Sequence, residues 1–249
     1  MRRFAAWVLL PAAISISTVP ATATSVQPVV VDLQPAGRQM SQIVTVQNTF
    51  ATPLPVELRV QRAGYSDEGV HGTGEETDDL LVFPPQALIE PGQSQSFRIQ
   101  YVGDPDLRQS RHYFVTVAQL PVRMAEGESA VQVLYNFQVV VGVSVPGVRP
   151  ALNIVSSEVS TEGDGQPRLV LNIENSSANY GYLSEGSLRI VQRDANGQEV
   201  FRRTLNNEEI VQEIGYGLVG AGQTRRILTT LVLPQSGGTV EAQFTPARR

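Results

Sequence analysis

Short runs of apolar–polar alternation, cut by turn residues, decide what this chain can fold into. "QIVTVQN", "VELRVQR", "SFRIQYV", "YFVTVAQL", "RLVLNIEN", "GSLRIVQR" and "RRILTTLVL" all carry the alternation, and Gly, Pro, Asn and Asp separate them. A strand turns successive side chains to opposite faces, so each run has one face for a core and one for water. No segment carries a sustained apolar repeat of 3.6 residues capped at both ends. The pattern predicts an all-β chain built from antiparallel strands.

The order of these runs appears twice. "VTVQNTFATPLPVELRV" and "LVLNIENSSANYGYLSEGSLRI" both read strand, Asn, small-residue turn, strand, with Asn48 and Asn175 as the matching residues. "EPGQSQSFRIQ" is then echoed by "GAGQTRRILTT", which places Gly92 44 residues after Asn48 and Gly222 47 residues after Asn175. The echo predicts a duplicated sandwich. "VPGVRPA" divides the copies, because Pro cannot donate to a central ladder and a Pro/Gly cluster suits an exposed link. The predicted domains are residues 24–147 and 148–249. Within the first, the polar, glycine-rich "GYSDEGVHGTGEETDD" from Gly64 to Asp79 predicts a mobile acidic loop.

One run breaks the usual length. "VQVLYNFQVVVGVSV", Val131 to Val145, has ten apolar residues, seven of them Val, and no charge. Extended, it would reach roughly 50 Å, against about 5 to 6 residues for a typical strand. It falls short of the ~20 residues that span a bilayer as a helix, and its β-branched residues with internal Gln and Asn suit a strand. A strand so apolar needs a cover.

The chain opens with Arg2 and Arg3, an apolar run from Phe4 to Ile16, and the small residues Ala21-Thr22-Ala23. That order reads as a secretory signal peptide over residues 1–23, cut after Ala23 for the general export route rather than the twin-arginine route. Cleavage leaves 226 of the 249 residues, with 17 Arg, no Lys and 24 acidic residues, a net charge of −7. An acidic chain without a basic cluster is a poor partner for nucleic acid. With no Cys, neither disulfides nor thiol chemistry are available in an oxidising compartment.

Catalytic and cofactor signals fail on inspection. "GYGLVG", Gly215 to Gly220, matches a dinucleotide fingerprint in letters, but strand alternation follows where a helix N-terminus is required, so it reads as a turn. His71 and His112 lie about forty residues apart, without metal-ligand spacing. Glu75-Glu76 and Asp78-Asp79 sit in the expected loop, which would not hold two carboxylates in opposition. "DPD" at Asp104–Asp106 has too few acids for a calcium loop, and "NSS" at Asn175 reads as a turn rather than a glycan acceptor. The expectation is a binding protein with no cofactor and no metal.

"FPPQALIEPGQSQSFRIQY", with Phe83-Pro84-Pro85, Ile89, Pro91-Gly92-Gln93, Gln95 and Arg98-Ile99, resembles the periplasmic pilus-assembly chaperones of the chaperone-usher pathway. Arg108, Ser110 and "YFVTVAQLPVR" are similar to that family's next strand, and "MAEGES" and the long strand follow in the same order. The resemblance is strong over residues 83 to 146 and weaker over the second domain. It implies two immunoglobulin-like sandwiches set at an angle. The implied function is donor-strand complementation, in which a chaperone strand fills a groove in a fimbrial or pilin-like subunit that is then delivered to an outer-membrane usher. On that reading Val131, Val133, Tyr135, Phe137 and Val139 share the face that enters the subunit. The same alternation would arise if that face packed inside its own sandwich. A free strand of this kind also implies shielding by self-association or by the acidic loop.

The sequence departs from the family pattern at its anchor for the subunit's terminal carboxylate. "SVQPVVVDLQPAG" contains no base, and Val140 and Val141 stand at the late basic position, which leaves Arg38, Arg98 and Arg111 as candidate clamps. Gln109 and Gly215 stand where acids of an interdomain ion pair are expected. A structural or adhesive two-sandwich protein is the alternative function, since fold does not fix function. A carboxylate-based glycan hydrolase is a distant third.

Overall fold

The computed structural model describes residues 24–66, 69–121 and 133–247. The expected signal peptide and Val131 lie outside them. The first half contains β1 (Ser25–Gln27), β2 (Val30–Leu33), β3 (Ser41–Gln47), β4 (Leu54–Ser66), β5 (Gly69–Glu76), β6 (Leu80–Phe83), β7 (Gln86–Ile89), β8 (Ser94–Tyr101), β9 (Arg111–Gln119) and β10 (Asn136–Val143). The second contains β11 (Leu152–Ser160), β12 (Arg168–Asn175), β13 (Gly181–Tyr182), β14 (Gly186–Arg193), β15 (Glu199–Leu205), α1 (Asn207–Glu213), β16 (Leu218–Val219), β17 (Thr224–Val232) and β18 (Thr239–Pro246). The fold is an all-β pair of sandwiches. In the first, a sheet ordered β1-β3-β8-β6 faces a sheet ordered β2-β10-β9-β4-β5, with β7 on β4; in the second, β11-β12-β17 faces β15-β14-β18.

Each sandwich has its own core, made from the inward set of each alternating run. Val44 and Val46 of β3, Phe97, Ile99 and Tyr101 of β8, Tyr113, Val115 and Val117 of β9, and Val139, Val141 and Val143 of β10 close the first. Leu169, Leu171 and Ile173 of β12, Leu188 and Ile190 of β14, and Leu205 close the second. A fully buried Val or Leu contributes roughly 1.5 to 3 kcal/mol, so these inward rows hold the sandwiches together without a disulfide.

The sequence echo has a physical basis. Asn48 and Asn175 are both fully buried. The Asn48 side chain donates to the carbonyls of Thr52 and Ile89, each at 2.9 Å. The Asn175 side chain donates to those of Asn179, Val219 and Gly220 at 2.7 to 3.1 Å. Their main-chain N–H groups donate to Gln93 and Gln223, both at 2.9 Å. Gly92 and Gly222, at φ 73° and 65°, make the turns that bring those carbonyls round. Asn175 is therefore committed to the backbone, as the turn reading requires.

Three expectations need correction. Most of the segment Gly64–Asp79 is strand rather than loop, because β4 runs on to Ser66 and β5 pairs with it from Ser66↔Gly69 to Gln61↔Glu76, while residues 67 and 68 lie outside the described residues. β5 carries polar residues on both faces because it is exposed along most of its length, so it lacks the alternation of a half-buried strand. The described residues also include one α-helix, α1, whose Asn206 cap and Glu209 form a reciprocal capping box; at two turns it is too short to show a repeat. Among its described residues, the long apolar run is a regular strand over Asn136–Val143. "GYG" is a turn, with Gly215 and Gly217 at φ 83° and 63°.

Candidate functional site

β10 changes character along its length. It pairs antiparallel with β9 from Asn136↔Ala118 to Val143↔Arg111. On its other side β2 runs parallel and covers only Val140 to Val143. From Asn136 to Val139 that outer edge has no strand partner among the described residues. Val140 N–H donates toward β2, to the Val29 carbonyl at 2.9 Å. By the two-residue period of a strand, the main-chain groups of Asn136 and Gln138 point the same way, into water. An open row of this kind is a template for another strand.

The side chains change in step. Val139 is fully buried in its own core, Phe137 is half-buried against it, and Tyr135 and Val133 are 46% and 61% exposed. Alternation put these residues on one face, and they share that parity, but the inner end of the row packs at home. Val139 therefore has no surface to offer a partner. Phe50, Tyr135 and Phe137 form a stacked row, with ring centroids 5.8 and 6.5 Å apart. Gln119 holds the backbone of Tyr135, accepting its N–H at 3.2 Å through the side chain and donating to its carbonyl at 3.0 Å.

The three candidate clamps are scattered. Arg38 lines a cleft of about 540 Å³ between the sandwiches, with Asp32, Ser144, Asn179, Tyr180 and Glu185 on its walls. Arg149, which the sequence reading passed over inside the linker, lines the same cleft. Arg98 is exposed on the outer face of β8, opposite Ile43 and Phe83. Arg111 lies 3.4 Å from Asp79, an acid it shares with Arg62. Only Arg38 among the candidates is in the cleft.

Aromatic residues fix the back of that cleft. The hydroxyls of Tyr180 and Tyr182 donate to Asp32 Oδ1 at 2.6 and 3.2 Å. Burial, then the Asp32 carboxylate, push both phenols far above their usual range. His112 is buried between the sandwiches, with its Nδ1 2.5 Å from the Tyr65 hydroxyl and the Tyr180 ring edge-on at 4.4 Å. Burial pushes its imidazole down to about 3, so it is neutral. Gly142 lets this packing close, since a Cβ there would meet the Tyr180 ring at 2.7 Å. Main-chain contacts complete the joint: Ser110 N–H donates to Ala178 O at 2.9 Å, and Tyr180 N–H donates to Ser110 Oγ at 2.9 Å. Where an acid was expected, Gln109 donates to the Ala221 carbonyl at 2.8 Å, and Gly215 closes the turn after α1. Hydrogen bonds and rings thus stand where an ion pair was expected.

Residues 24–143 match the family model of the PapD N-terminal domain, the pili and flagellar-assembly chaperones. Residues 24–143 thus form a PapD-type N-terminal domain, the domain of the pilus-assembly chaperones. Solved structures extend the likeness across both sandwiches. The YadV chaperone aligns with a TM-score of 0.52 at 13% identity, over 89% of this chain and 91% of its own. The CsuC–CsuE chaperone–tip adhesion subunit pre-assembly complex, from the archaic chaperone-usher Csu pili of Acinetobacter baumannii, aligns at 0.50 and 15% identity over 89% and 97%. The SafB chaperone with the SafA pilin, from Salmonella enterica, aligns at 0.50 and 13% over 92% and 98%. At such identities the likeness speaks for the fold alone. A comparison with curated protein sequences gives no match.

Proposed function

We propose that this protein is a chaperone that works in the periplasm and caps a fimbrial or surface-fibre subunit by donor-strand complementation. The observation that carries the reading is the open outer edge of β10 beside exposed Val133 and Tyr135. A subunit lacking a strand would pair with the free main-chain groups of Asn136 and Gln138 and take Val133, Tyr135 and the exposed part of Phe137 into its groove. Val131, outside the described residues, continues the same parity. Each large side chain buried in this way contributes roughly 1.5 to 3 kcal/mol before ordering costs. Val139 drops out of the donor set and holds the strand in its own domain instead.

Arg38, joined by Arg149, is the better placed clamp for a terminal carboxylate; Arg98 and Arg111 lie elsewhere. Delivery to an outer-membrane usher needs a second surface that stays free while the donor edge is occupied. The outer face of the other sheet fits that requirement, with Ile43, Leu81 and Phe83 52%, 53% and 67% exposed around Arg98. The reading takes residues 1–23 as a cleaved signal peptide, 24–147 as the subunit-binding domain and 148–249 as the second domain. It involves no enzymatic step and no nucleic acid.

A photo-crosslinking amino acid at position 135 in the host cell tests the reading. It should capture a small β-rich subunit in most of the crosslinked product, whereas the same group at Val155, exposed on the second sandwich, should not. Equal capture at both sites would refute it. Capture of a second copy of this chain at 135 would favour the structural or adhesive alternative.

A further inference from the structure

The two sandwiches use one turn device twice, and one difference between the copies is Phe50 where the second has Ser177. Asn175 Oδ1 accepts the Ser177 N–H at 3.1 Å, and Asn48 Oδ1 accepts the Phe50 N–H at 2.9 Å. The turn therefore runs with Ser at that place and has no need of an aromatic ring. Phe50 instead lies over Tyr135, 5.8 Å away and inclined by 30°, and packs part of its surface on the first core. Tyr135 precedes β10 and belongs to no ladder, yet Gln119 grips its backbone on both sides, from N–H to carbonyl. An apolar segment that is half in water would otherwise sample many conformations.

We propose that Phe50 and Gln119 are positioning residues for the donor segment. They hold Val133 to Tyr135 extended before a subunit arrives, so that Phe50, Tyr135 and Phe137 form one aromatic row at the point of first contact. The inference rests on the donor-strand reading above. Ordering the segment in the free protein removes that cost from the binding step. Buried Asn48 fixes the backbone of Phe50, and the Phe50 ring fixes Tyr135, so the turn is coupled to the donor edge through two contacts.

Amide hydrogen exchange on the free, full-length mature protein tests this. The Tyr135 amide should exchange at least tenfold slower than an unstructured one. Gln119→Ala should remove that protection, and Phe50→Ser, which preserves the turn, should weaken it severalfold, while the amides of Val139 to Val143 keep wild-type rates. Phe50→Ser also removes packing from the core, so Gln119→Ala is the variant that separates local hold from stability. Tyr135 exchanging at the unstructured rate in the wild type, or unaltered in both variants, would overturn the proposal. Fast exchange in a chain that still captures a subunit overturns the hold alone. Slow exchange in a chain that captures none overturns the donor-strand reading, and with it the purpose of the hold.

Discussion

Replacing His112 with Phe should make the protein less sensitive to acid. In the folded chain burial holds the imidazole neutral down to about pH 3, whereas in the unfolded chain it takes a proton near pH 6.5. Because the folded value is the lower one, stability is complete above about pH 6.5 and is lost as the pH falls through the window down to about 3. At pH 4.5 the unfolded state has gained about two pH units of proton binding, at about 1.4 kcal/mol each, which amounts to about 3 kcal/mol. That is a large part of a typical stability of about 5 to 15 kcal/mol. The Tyr65 and Tyr180 phenols that face the ring are pushed up by burial and stay protonated throughout. His112→Phe also loses the Tyr65 contact, at a cost of about 1 kcal/mol that does not vary with pH. The assay is urea unfolding of both proteins at pH 7.5, 6.0, 5.0 and 4.5, read by circular dichroism. Carboxylates titrate alike in both and cancel in the difference. The wild type should lose about 3 kcal/mol more than the variant between the first and last pH. Parallel pH profiles would refute the buried neutral imidazole.

Two stability predictions use the joint and the turns. Asn175→Ala strands the carbonyls of Asn179, Val219 and Gly220 in a buried site, so it should cost roughly 3 kcal/mol or more in chemical denaturation, with Asn48→Ala somewhat milder. Gly142→Ala forces the Tyr180 ring away and should cost about 1 to 3 kcal/mol by thermal unfolding. Gly237→Ala, where an added Cβ meets nothing within 4 Å, serves as the near-neutral control.

Alternation carried the all-β reading because most strands have one wet face and one dry face, as Val44 and Val46 against Ile43 and Thr45 illustrate in β3. β5 escaped it, since a strand wet on both faces leaves no periodic trace. The paired Asn residues were legible because one turn solved the same hydrogen-bonding problem twice. In β10, parity told which residues share a face but not where along that face the domain ends. Val139 and Val133 look alike in the sequence, and only the length of β2 and the extent of the core separate them. The Asp32–Tyr180 and Tyr65–His112 contacts were invisible for another reason: they join residues 148 and 47 positions apart, so no local pattern records them. Arg149 was hidden as one charge in a linker, and its place on the cleft wall follows from how the sandwiches meet.

The donor edge is tested most directly by purifying the tagged protein from the periplasm of its own host, wild type beside Val133→Arg, and identifying what elutes by mass spectrometry. Val133 is 61% exposed, so the substitution should change stability by no more than about 0.5 kcal/mol. The account predicts a small β-rich subunit in near-equimolar amount with the wild type and its loss with the folded variant. A subunit retained by Val133→Arg, or a wild type that elutes alone or with its own copies, would contradict it.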